Sequence, residues 1–148
     1  MMKGLIIYGS TTGNTETMAE MVEKALADAG LTAEIKEAAN AAVSDLTAAD
    51  QLVLLGCPAY GDDEVELQED FQEFYEKWDG VDLSGKKFAV FAPGDTSYEH
   101  FCGTVDFLEE KIQEMGGTVV VPGLKIDGDP GDAADEISSW CQDVVNNA

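Results

Sequence analysis

Arginine is absent from the chain, and its only basic residues are eight lysines, which face thirty acidic residues for a formal net charge of -22. A polyanion of this kind repels phosphate backbones and anionic headgroups, which excludes nucleic-acid binding and docking to acidic lipid. The same field attracts a positively charged protein and speeds encounter at low salt. Cysteine is also sparse. Cys57, Cys102 and Cys141 are odd in number, widely spaced and lack a CxxC pair, so they suggest neither a disulfide framework nor a zinc site and read as small buried hydrophobes. The one histidine, His100, cannot build a metal cluster or a catalytic triad. No apolar stretch approaches the ~20 residues of a membrane span. The run Leu5-Ile6-Ile7-Tyr8 ends at Gly9-Ser10, too soon for an export signal, so a cytoplasmic location is expected.

Short runs that are apolar on both faces occur at Leu5 to Tyr8, Leu52 to Leu55, Phe88 to Phe91 and Val119 to Val121, the pattern of central parallel strands. Ala33 to Lys36 alternates and suits an edge strand. Helical stripes lie between them: Met18, Met21, Val22, Leu26 and Ala29 before Gly30; Leu67, Phe71, Phe74, Tyr75 and Trp78; Val105, Leu108, Ile112 and Met115 before Gly116-Gly117; and Ala133, Ile137, Trp140 and Val144 after Asp129-Pro130. Each glycine stands where a left-handed helix cap is wanted. A weaker helix is expected over Ala42 to Leu46. No repeat or linker interrupts the alternation, so one domain over residues 1–148 is expected. The βα order predicts an α/β/α sandwich, a parallel sheet with right-handed crossovers and helices on both faces.

Ligands of such sheets bind beyond the carboxyl ends of the strands, where neighbouring connections leave to opposite faces. Three segments follow strands: Gly9 to Thr15, Pro58 to Asp63, and Pro93 to Tyr98. The first leads into a helix, so backbone N–H groups and the positive dipole end face its ligand, joined by the hydroxyls of Ser10, Thr11, Thr12 and Thr15. No lysine lies between Lys3 and Lys24. A cradle of neutral donors suits a terminal monophosphate, whereas a triphosphate ordinarily brings Mg²⁺ and a cationic clamp. Tyr60 and Tyr98 sit in short loops where two rings can sandwich a planar ligand, each stacked pair worth roughly 0.5–1.5 kcal/mol. Phosphate at one end and a flat heterocycle at the other describe flavin mononucleotide (FMN).

Over its full length the sequence resembles the short-chain flavodoxins, particularly those of sulfate-reducing (Desulfovibrio-type) bacteria. The resemblance rests on Gly9-Ser10-Thr11-Thr12-Gly13-Asn14-Thr15-Glu16, Leu54-Leu55-Gly56-Cys57, Gly61-Asp62-Asp63, Gly94-Asp95, Tyr98-Glu99, Phe101-Cys102-Gly103 and Ile126-Asp127-Gly128-Asp129-Pro130. It implies a doubly wound, five-stranded parallel sheet of order 2-1-3-4-5 with FMN at the switch point. It also implies that Ser10, Thr11, Thr12, Gly13, Asn14 and Thr15 hold the phosphate. Tyr98 would stack on one flavin face and Tyr60, where many relatives have tryptophan, on the other. Pro58, Ala59 and Asp62 would line that side, with Gly61 beside the flavin N5. Pro93, Gly94 and Phe101 would border the ring, and the backbone of Asp95 and Cys102 would read its pyrimidine edge.

The function so implied is that of a low-potential, one-electron carrier with no catalytic residue and no metal. It would work as a monomer between basic or positively patched redox proteins such as reductases, oxidoreductases, cytochromes or hydrogenase-type enzymes. The rival is a small FMN-dependent NAD(P)H/quinone reductase, for which the sequence offers no second nucleotide motif. Two other signals point elsewhere and fail on context. Gly80 to Lys87 nearly spells a P-loop but leads from helix to strand. Asp127 to Asp132 hints at a calcium loop, yet Ser138 stands where its glutamate belongs.

Overall fold

The computed structural model describes residues 3–9, 14–47, 51–57, 69–94, 103–127 and 130–148. The apolar runs become strands β1 (Lys3–Tyr8), β3 (Gln51–Gly56) and β4 (Lys87–Gly94), with β2 (Ala33–Glu37) at one edge. All pairings are parallel, in the order β2-β1-β3-β4 with β5 (Thr118–Val119) and β6 (Leu124–Asp127) both beside β4. This is the order the resemblance implies. The fifth position holds two short strands where the sequence pattern predicts one over Val119 to Val121.

The break has a physical cause. Phe88 pairs with Val119 and Phe91 with Leu124, so two residues of β4 face four of the outer chain. The resulting bulge is held from both faces of the sheet: the Gly123 N–H donates to Glu109 Oε2 at 3.0 Å, and Trp140 Nε1 donates to the Pro122 carbonyl at 2.9 Å. Gly123 also has no room for a side chain, since a Cβ there would lie 2.2 Å from Val105 Cγ1 and 3.0 Å from the Val90 carbonyl oxygen.

Strand residues alternate between two cores. Leu5, Ile7, Val53, Leu55, Phe88 and Val90 face helices α2 (Glu69–Tyr75) and α3 (Gly103–Glu114). Ile6, Leu52, Leu54, Ala89, Phe91 and Ile126 face α1 (Asn14–Asp28) and α4 (Ala134–Asn147). Three layers result, α/β/α. Helices α1 and α3 end as their sequences predict. At Gly30 (φ +100°) the Leu31 N–H reaches the Leu26 carbonyl and the Gly30 N–H that of Ala27; at Gly116 (φ +94°) Gly117 reaches Ile112 and Gly116 reaches Gln113. Both are Schellman caps.

Two helical expectations change in length or type. The second stripe is α-helical only to Tyr75 and tightens into a 3₁₀ turn over Glu76–Trp78, while Leu67 lies outside the described residues. The weak helix is a 3₁₀ turn over Val43–Leu46, where Asp45 accepts from the Ala42 N–H at 2.9 Å and pairs with Lys36 at 3.2 Å. Among the described residues no helix is long and apolar enough to cross a membrane.

Candidate functional site

Helix α1, which follows β1, packs on one face of the sheet, whereas α2, which follows β3, packs on the other. Because β1 and β3 are neighbours, their connections leave in opposite directions and open a crevice at their carboxyl ends. Strands β1 and β3 end level, with Tyr8 beside Gly56, while β4 runs on past Phe91, the partner of Gly56, to Gly94; the Gly9 N–H donates to the Gly56 carbonyl at 3.0 Å. Gly56 packs so closely that a Cβ would lie 2.5 Å from the Phe91 ring.

Of the residues expected at the site, four fall among those described. Asn14 opens α1, and Thr15, its second residue, is buried. Pro93 and Gly94 close β4, where Gly94 pairs with Asp127 of β6. Ser10, Thr11, Thr12, Gly13, Pro58, Ala59, Tyr60, Gly61, Asp62, Asp95, Tyr98, Phe101 and Cys102 lie outside the described residues. The chain leading into each of these segments leaves the same edge of the sheet, at Gly9, Cys57 and Gly94.

One residue at this edge carries no signal in the sequence reading. Thr104, second in α3, is fully buried, and its Oγ1 donates to the Cys57 carbonyl at 2.7 Å. A threonine near a helix start reads as an ordinary local cap. Its partner 47 residues away becomes visible only in the fold.

The electrostatic setting is anionic. The Tyr8 hydroxyl donates to Glu37 Oε1 at 3.3 Å, and its pKa is pushed up to about 12 by burial first and then by Glu16, Glu37 and Glu20. A phosphate near the start of α1 therefore depends on neutral donors and the helix dipole. Cys57 and Cys141 are buried, and burial raises the Cys141 pKa to about 12; Cys102 lies outside the described residues. Among the described residues no cluster of three or more His, Cys, Asp or Glu side chains is placed to hold a metal.

The flavodoxin family profile matches residues 6–140. The chain belongs to the flavodoxin family. It is 49% identical to a flavodoxin of Maridesulfovibrio salexigens over 146 residues, 99% of each chain. It is 44% identical to a flavodoxin of Nitratidesulfovibrio vulgaris, over 98% of each. Among solved structures, oxidised flavodoxin 2 of Bacillus cereus superposes with a TM-score of 0.89 at 32% identity, covering 99% of both chains. Flavodoxins bind FMN and carry electrons between redox proteins rather than act as enzymes, so the reductase alternative is not favoured.

The residues present fit that cofactor. The segment between Gly9 and Asn14 offers hydroxyl and amide donors, with no cation, at the head of a fifteen-residue helix. This donor set suits one terminal phosphate.

Proposed function

We propose that FMN spans the crevice between β1 and β3. Ser10, Thr11, Thr12, Gly13, Asn14 and Thr15 take its phosphate, and Tyr60 and Tyr98 cover the two faces of its ring. Pro58, Ala59, Gly61 and Asp62 line one side; Pro93, Gly94, Asp95, Phe101 and Cys102 border the pyrimidine edge. When bound, FMN supplies the redox chemistry, accepting and releasing single electrons. The chain's own residues orient the ring, exclude water from it and set its potentials. The observation that supports this assignment above others is the switch point itself, with each candidate segment leaving the carboxyl end of a strand at one sheet edge.

The carboxylates of Asp62, Asp63, Glu64, Asp95 and Glu99 disfavour added negative charge nearby. A unit charge ~10 Å away at an effective dielectric of ~40 costs ~0.8 kcal/mol, or ~35 mV per electron, so several carboxylates together would hold the second potential low. The charge of -22 selects positively patched redox proteins as partners. The chain serves them as a monomeric, single-domain carrier in the cytoplasm.

Titrating the purified apoprotein with FMN tests the assignment. Flavin fluorescence should be quenched with one-to-one stoichiometry, and the yellow colour should survive desalting; unquenched fluorescence and colourless protein would refute it. Electron transfer to a cationic c-type haem protein should slow steeply as ionic strength rises. A rate indifferent to salt would overturn the partner assignment.

A further inference from the structure

Residues 58–68 begin immediately after Cys57, and residues 95–102 end immediately before Gly103, the first residue of α3. Between these two points runs one buried hydrogen bond, from Thr104 Oγ1 to the Cys57 carbonyl at 2.7 Å. The bond has the ordinary length of a well-formed O–H···O pair and lies where no solvent competes with it. Thr104 and Thr15 are the buried polar residues among those described.

A threonine inside a helix commonly bonds a carbonyl three or four residues back on its own chain. Here the hydroxyl reaches out of its helix to a strand end 47 residues away. It fixes the start of α3 against the carboxyl end of β3, at the exit of one proposed ring-facing loop and the entrance of the other. In sequence, Cys57 stands three residues before Tyr60, and Thr104 six residues after Tyr98 and two after Cys102.

We propose that Thr104 is a positioning residue for FMN, tying the loop that carries Tyr60 and Gly61 to the loop that carries Tyr98 and Cys102. It touches neither ring nor phosphate in this role. It fixes the distance between Cys57 and the start of α3, the two described points that flank the segments assigned to the flavin. A site whose framework is less firmly fixed holds the differently charged redox forms less selectively, so the spacing of the two one-electron potentials depends on this bond. The proposal rests on the placement of FMN given above.

Thr104→Val keeps the side-chain volume and removes the donor; Thr104→Ser keeps the donor. In the valine variant the FMN dissociation constant should rise about tenfold, the change expected for losing one buried hydrogen bond that orders a site. The gap between the first and second reduction potentials should narrow, and the serine variant should restore both. Ile137→Val, a mild core change in α4 on the opposite face of the sheet, controls for stability. It should lower the apoprotein melting temperature while leaving affinity and potential gap as in the parent.

If Thr104→Val does not fold, Thr104→Ala is read against the same control. Unchanged affinity and gap in a folded valine or alanine variant overturn the proposal, as does failure of serine to restore them. Movement of affinity and gap in Ile137→Val overturns it too, because a general loss of stability would then suffice. Failure of the parent protein to bind FMN would instead strike the functional assignment.

Discussion

Replacing Glu109 with glutamine separates two things its side chain supplies, an acceptor for the Gly123 N–H and a negative charge. Its carboxyl is pushed above the ordinary range, first by burial and also by Asp106, while the Gly123 N–H and Lys125 pull it back. The native carboxyl is thus the weaker acid, and the native fold holds its proton more tightly than the unfolded chain does. The stabilisation this gives is complete below the unfolded pKa of about 4.3 and is lost as pH rises through the higher native value. At neutral pH, Glu109 is held ionised against that preference. Glutamine keeps an acceptor without the charge, and a neutral hydrogen bond contributes about 1 kcal/mol.

Glu109→Gln should therefore stay within ~0.5 kcal/mol of the parent at pH 7, a typical bound for a change that breaks no buried contact. Any gain over the parent should shrink as pH falls and the parent's carboxyl takes up its proton, as urea titrations at pH 7 and pH 4 would read. Glu109→Ala removes the acceptor and should cost ~1–1.5 kcal/mol, the lower part of the usual range because the site is half-buried. For a domain of this size, that is a melting temperature lower by roughly 3–5 °C. Urea titrations at the two pH values read all three proteins. If glutamine destabilises as much as alanine at pH 7, the charge rather than the acceptor holds the bulge, and the reasoning fails.

Gly56→Ala, with its Cβ 2.5 Å from the Phe91 ring, should destabilise by about 1–3 kcal/mol, the usual cost of overpacking a tight core, as read by urea denaturation. The two tryptophans should respond differently to phenylalanine. Trp140 donates to the Pro122 carbonyl, whereas the buried Trp78 Nε1 has no partner among the described residues. Trp140→Phe should thus cost about 1 kcal/mol more than Trp78→Phe, one net hydrogen bond; equal losses would refute the assignment. Tyr8, raised to about 12, should be late to ionise in an ultraviolet pH titration. Stability linked to its proton is full below the unfolded value of about 10 and is lost as pH rises through about 12. Tyr8→Phe should remove that alkaline loss and the absorbance change near pH 12.

The sheet was legible because central parallel strands are apolar on both faces, so Leu52 to Leu55 and Phe88 to Phe91 announce themselves without knowledge of their neighbours. Helix ends at Gly30 and Gly116 were equally plain, since their left-handed backbone leaves a one-residue mark. The split outer strand was not. Val119-Val120-Val121 reads as continuous strand, and what lifts the chain away from β4 is a carboxylate on α3 and an indole on α4, 14 and 18 residues from their partners. The helix over the second stripe proved shorter than its periodicity because the same side-chain spacing survives a tightening into a 3₁₀ turn at Trp78.

For the site, the chemistry of the residues was readable and the framework was not. Hydroxyls before a helix and tyrosines behind strands can be named from the sequence, but the tie from Thr104 to Cys57 depends on two elements meeting through the fold. The position of the crevice, by contrast, followed from strand order alone.

The interrupted outer strand has a consequence for how the molecule behaves in company. A sheet grows when a foreign strand finds an unbroken row of free backbone groups along its margin. This margin presents two residues, a bulge, and then four, while the opposite margin, β2, carries Glu34, Lys36 and Glu37. The first gives a visiting chain too little length to zip onto, and the second meets it with charge. A courier that must let go of each customer before meeting the next is well served by flanks that offer nothing to hold.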